Sequence, residues 1–110
     1  MVTSEEIRGK ARFFSSPEEL RRWFEKHHAT EKELWIGYYK RGTGRKGVSY
    51  LEAVEEALCF GWVDGQVRSL DDRSYANRYT PRRPESRWSQ VNVRKVGELR
   101  RAGRMRPAGV

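Results

Sequence analysis

Leu20, Trp23, Phe24 and His27 recur at helical spacing and share one face. The residues before them form a helix start. Ser16 can cap it, Pro17 suits its first position, and Glu18 and Glu19 meet the positive end of its dipole. The pattern predicts a helix over 17–28. The period then drops to two. Across 33–40, Leu34, Ile36 and Tyr38 alternate with Trp35, Gly37 and Tyr39, which predicts a strand. Ser49-Tyr50-Leu51-Glu52 has capping-box spacing and opens a helix over 50–60. Its stripe is Leu51, Val54 and Leu58, with Ala53 and Ala57, and Gly61 stands past its end. Strand patterns return at 62–69 and 74–80, joined through Leu70-Asp71-Asp72 as a hairpin. Pro81 and Pro84 break the second strand. Val93, Val96 and Leu99 then mark a third helix, 92–102, with Asn92 as cap and Gly103 as terminator.

These elements make an α+β fold: a small antiparallel sheet packed with two to three helices in a single compact domain. Residues 11–14 suit an edge of that sheet. The expected core is Trp23, Phe24, Leu34, Ile36, Leu51, Val54, Leu58 and Trp62. The 110 residues suffice for about one domain, and we expect 1–10 and 104–110 to be frayed.

Composition narrows the function. The chain is polar, with 35% charged residues, but 12% aromatics argue for a folded domain, because disordered chains are poor in aromatic rings. No apolar run is long enough to span a membrane. The first residues lack the apolar stretch of a secretory signal. A lone Cys59 forms no internal disulfide, and the adjacent His27 and His28 point about 100° apart on a helix. These features suit a cytoplasmic protein with no metal and no cofactor.

Charge is uneven along the chain. Residues 1–65 carry 11 basic and 11 acidic side chains, whereas 66–110 carry 12 basic and 4 acidic ones, so the whole net charge of +8 lies in the second part. Eleven of those 12 cations are arginine, whose planar fork grips phosphate or carboxylate with two parallel bonds. The densest cluster is Arg78, Tyr79, Arg82, Arg83, Ser86, Arg87, Trp88, Ser89 and Asn92, which Arg94 extends into the third helix. Its arginines suit phosphates, its serines add neutral donors, and Tyr79 or Trp88 suits stacking on a base. Asp64, in Phe60-Gly61-Trp62-Val63-Asp64-Gly65, is a candidate orienting carboxylate or general base. Trp62 and Lys40 are candidate pocket residues beside it. The glycine-containing stretch 41–47 lacks the spacing of a phosphate-binding P-loop.

Several long motifs carry a family resemblance. They include Phe14-Ser15-Ser16-Pro17-Glu18-Glu19 with Trp23, and Glu33-Leu34-Trp35 with Tyr39 and Lys40. The longest runs from Tyr50 through Ala57-Leu58-Cys59-Phe60-Gly61-Trp62-Val63-Asp64-Gly65. Arg78-Tyr79-Thr80-Pro81-Arg82 with Ser86, Trp88-Ser89 and Asn92 follows, and Gly103-Arg104-Met105 with Ala108-Gly109 closes the series. On these the chain resembles the YdeI/OmpD-associated proteins, also called bacteriocin-protection proteins, over roughly residues 13 to 109. The resemblance implies a resistance factor against bacteriocins or cationic peptides, with a protein partner. It brings no reaction and no catalytic residues.

The residues themselves favour binding over catalysis, since they include no metal cluster, no nucleophile–base pair and no cofactor loop. The leading expectation is a module for an anionic partner, most plausibly nucleic acid, bound through 78–94. The alternative is a pocket for a small phosphorylated or carboxylated ligand, with or without chemistry, in which Asp64, Arg78, Arg82, Ser86, Ser89 and Asn92 converge.

Overall fold

A computed structural model describes residues 4–82 and 90–106. The elements are α1 (Ser4–Lys10), α2 (Pro17–His27), β1 (Leu34–Tyr39), α3 (Tyr50–Cys59), β2 (Trp62–Ser69), β3 (Ser74–Pro81) and α4 (Gln90–Arg101). The architecture is α+β, with four helices and one three-stranded antiparallel sheet of order β1-β3-β2. The radius of gyration is 13.9 Å, close to the value of about 13 Å for a compact chain of this length.

Local chemistry accounts for most boundaries. The Ser16 hydroxyl accepts from the Glu19 amide at 3.2 Å, and Pro17 occupies the first turn of α2. Ser49 and Glu52 form the reciprocal capping box of α3. Gly103 takes φ +72° just past α4. There its amide bonds to Arg100 O and the Arg104 amide bonds to Leu99 O, a pair of bonds that satisfies the last carbonyls of the helix. α4 starts at Gln90, so Asn92 lies inside the helix and not at its cap.

The two faces of the sheet are covered by different elements. Tyr75, Asn77 and Tyr79 of β3 stand opposite Tyr38, Ile36 and Leu34 of β1. This face holds the larger core, with Leu20 and Phe24 of α2, Ala53, Val54, Ala57 and Leu58 of α3, and Trp62 of β2. The opposite face carries Trp35 and Ala76, covered by Ile7 of α1 and Leu70. The segment between α1 and α2 runs along the outer edge of β1, where Arg12 bridges to Ile36 in parallel fashion. Phe13 lies on Gly37, where an added Cβ would sit 2.5 Å from the Phe13 ring.

Three further expectations need correction. Residues 4–10 are not frayed: they form α1, Ile7 is buried, and the Arg8 guanidinium donates to Leu70 O at 2.5 Å. Residues 104–106 are docked as well. Arg104 donates to Glu56 at 2.6 Å, Arg21 donates to Arg104 O at 2.9 Å, and the Arg106 amide donates to Cys59 O at 2.9 Å. Leu51 is not core but 54% exposed; the buried stripe of α3 runs through Ala53, Val54, Glu56, Ala57 and Leu58 instead.

Glu56 is the unexpected member of that stripe. Its carboxylate is buried and takes Arg21 at 2.8 Å on one oxygen and Arg104 at 2.6 Å on the other. The three charges tie α2, α3 and the segment after α4 together. Breaking a buried ion pair from one side leaves the remaining charge without compensation. Glu56→Ala should therefore lower the unfolding free energy by roughly 3 kcal/mol in a urea titration. On the same assay Leu58→Ala should cost about 2–5 kcal/mol, while Leu51→Ala stays within about 0.5 kcal/mol.

Candidate functional site

Among the described residues, Asp64, Arg78 and Tyr79, singled out from the sequence, do not converge. Tyr79 is fully buried, which rules it out as a stacking platform for a ligand. Its hydroxyl instead meets that of Tyr38 at 2.9 Å, and Tyr38 donates to Asn77 Oδ1 at 2.5 Å. Burial pushes both phenols up from their ordinary value. Arg78 points to the other face, opposite Trp35, and donates to Glu33 at 2.7 Å. Asp64 pairs with Tyr79 across the sheet and accepts from the Tyr50 hydroxyl at 2.6 Å. Asp64 and Arg78 thus lie on opposite sides of the sheet and cannot share a pocket. Trp62 is a core residue, packed edge-on against Trp23 and Phe24, and not a pocket wall. Arg82 is half-buried after β3, its amide bonded to Gly61 O at 2.8 Å. Arg94 is exposed on α4. Arg83, Ser86, Arg87, Trp88 and Ser89 lie outside the described residues, as does the side chain of Asn92.

Lys40 is different. It lines a cleft of about 380 Å³ formed by the end of β1, the loop 40–49, the start of α3 and Tyr75 of β3. Four cations line this cleft, Lys40, Arg41, Arg45 and Lys46, and no carboxylate does. All four are exposed, and among the described residues none forms an ion pair. Three tyrosines, Tyr38, Tyr50 and Tyr75, form a ring cluster with centroids 5.1 and 5.8 Å from Tyr38. Tyr39 lies against Phe13 at 4.7 Å, with the Arg45 guanidinium 5.5 Å from its centroid.

The loop is built to hold this shape. The Thr43 hydroxyl donates to Lys40 O at 3.0 Å and accepts from the Arg45 amide at 3.2 Å. The Val48 amide donates to Phe14 O at 2.9 Å, and the Lys40 amide to Arg73 O at 2.8 Å. The positive end of the α3 dipole opens onto the same space at Ser49 and Tyr50. Four of the eleven acids of the first 65 residues gather elsewhere. A second cleft, of about 410 Å³, is lined by Glu18, Glu52, Glu55 and Glu56 with Pro17, and its two arginines, Arg21 and Arg104, are both held by Glu56. A half-chain charge of zero therefore conceals a basic face and an acidic one. The readable signal was local, since four of the seven residues 40–46 are cations.

A model of the family described as "Domain of unknown function (DUF8412)" matches residues 12–110. No curated protein and no solved structure matches the chain. The resemblance to the YdeI/OmpD-associated proteins rests on the sequence motifs.

Tyr50 reports on the cleft directly. Burial, then the hydrogen bond to Asp64 and that carboxylate's charge, pushes its phenol up to about 12. Spectrophotometric titration at alkaline pH, with Tyr50→Phe subtracted, should isolate one phenol ionising near 12 and not near the ordinary 10. Because the folded-state value is raised for a group that is neutral when protonated, its stabilising contribution is complete below pH ~10 and is lost as pH climbs from there through the folded value. Asp64→Asn should move this ionisation down.

Proposed function

We propose that this chain, which belongs to the DUF8412 family, is a binding module for an anionic partner, and that the partner is nucleic acid gripped at the 40–49 cleft. One observation carries the reading: the cleft is lined by four exposed cations without a single carboxylate, beside the exposed ring of Tyr50 and the half-buried rings of Tyr39 and Tyr75. Cations that no protein acid neutralises attract phosphates, and each phosphate they engage releases condensed counterions. Aromatic rings beside them offer flat faces to bases without demanding a sequence. Of the residues expected in 78–94, Arg78 is engaged by Glu33 and Tyr79 is buried, whereas the cations of the loop before α3 are exposed. Exposed Arg94, Arg100 and Arg101 on α4 add to the positive field of the molecule.

The test is fluorescence anisotropy of labelled single-stranded oligonucleotides between about 50 and about 300 mM salt. Four phosphate contacts give a log–log slope of about −3 for single strands. Arg45→Ala/Lys46→Ala should flatten that slope by about 1.4 and weaken binding at every sequence tried. Arg78→Ala should leave both unchanged. A slope near zero for the unmodified protein overturns the proposal.

A further inference from the structure

Beside the cleft lies a second hollow, of about 220 Å³, lined by Tyr39, Arg45, Asp71, Arg73 and Ser74. Tyr39 and Arg45 belong to both. The two spaces therefore adjoin across one aromatic ring and one guanidinium. Building on the nucleic-acid reading above, we infer that the ligand is a single strand laid across both spaces, with a phosphate in the cleft, the next nucleoside in the hollow, and Arg45 at the junction between them.

The chemistry of the two spaces differs in the way this placement requires. The cleft holds cations and no acid, which suits a phosphate. The hollow holds an acid as well as cations. Asp71 Oδ1 accepts from the Arg73 amide at 2.7 Å and from the Ser74 hydroxyl at 3.0 Å. These bonds, the Arg73 amide first, keep its carboxyl below the ordinary carboxylate range and hence ionised at neutral pH. An ionised carboxylate repels a phosphate but accepts hydrogen bonds from a sugar hydroxyl or a base amino group. With Asp71 beside Arg45 and Arg73, the hollow suits the uncharged part of a nucleotide better than the cleft does. Arg73, exposed and in no ion pair among the described residues, stands at its rim to meet the following phosphate.

The support between the two spaces is fixed. Phe13 covers Tyr39 at 4.7 Å with 24° between the rings, and Phe13 itself rests on Gly37. A base arriving at this point meets an ordered ring pair with the Arg45 guanidinium over Tyr39, 5.5 Å from its centroid, so the rings themselves lose little freedom on binding. Spaces of about 220 and 380 Å³ suit a nucleotide or two of a flexible strand, whereas the bases of a duplex are paired and stacked and not free to enter them.

The experiment measures a nucleoside monophosphate, a tetranucleotide and a duplex of the same sequence by competition anisotropy against a labelled oligonucleotide. The unmodified protein should favour the tetranucleotide over the monophosphate and over the duplex. Arg73→Ala should weaken the tetranucleotide more than the monophosphate, and flatten the tetranucleotide's salt slope by about 0.7. This substitution leaves the hairpin intact, since Arg73 holds the turn only through its backbone. If Arg73→Ala binds the tetranucleotide as well as the unmodified protein does, while Arg45→Ala/Lys46→Ala weakens it, the two-space placement is wrong and the nucleic-acid reading stands. Equal affinity for duplex and single strand also overturns the placement. If no oligonucleotide competes but the monophosphate or inorganic phosphate shifts the melting temperature, both readings fall in favour of a small-anion pocket.

Discussion

β3 is hydrogen-bonded on both sides, and its alternation dictates where every other part can stand. One face of the strand carries Tyr75, Asn77 and Tyr79, and these residues receive α2 and α3. The other carries Ala76 and Arg78, beside α1 and the Glu33 carboxylate. A slip of one residue would exchange the two sets and expose the core. That constraint separates residues adjacent in sequence. Arg78 and Tyr79 follow one another in the chain, yet one reaches a surface ion pair and the other an interior hydroxyl network.

The electrostatic layout follows from the same framework. Carboxylates on α2 and α3 gather around Glu56, where Arg21 and Arg104 neutralise it. The cations of the loop before α3 face another way and keep their charge for solvent or a ligand. The docked residues 104–106 belong to the first arrangement. They satisfy Glu56 and the Cys59 carbonyl together, and burial around Cys59 pushes its thiol up, which keeps it unreactive.

Much of this was legible in the chain. The caps at Ser16 and Ser49, the period-two runs and the terminal glycines declared the elements to within a residue or two, because each is local chemistry. α1 was not legible. Ile7 is its one buried anchor, and a single apolar residue makes no period. Leu51 misled because the helix turns it outward and gives its place in the stripe to Glu56, whose burial depends on arginines far away in sequence. Summing charge over the first 65 residues hides the basic cleft, because it cancels cations against acids that the fold holds apart. Which cations stay unpaired is a property of three-dimensional proximity, and no linear pattern encodes it.

The register shift between Asp64 and Val67 sits in β2, which is one edge of the sheet. An edge strand offers unpaired amides and carbonyls to any passing chain. Here the edge departs from regular pairing around Gly65 and Gln66, and Arg68 stands exposed just beyond. On the opposite edge, the bridge at Arg12 occupies part of β1. A small sheet flanked in these two ways is a poor template for intermolecular strand addition. This protects against self-aggregation a protein whose exposed surface includes Phe13, Tyr50 and Val67.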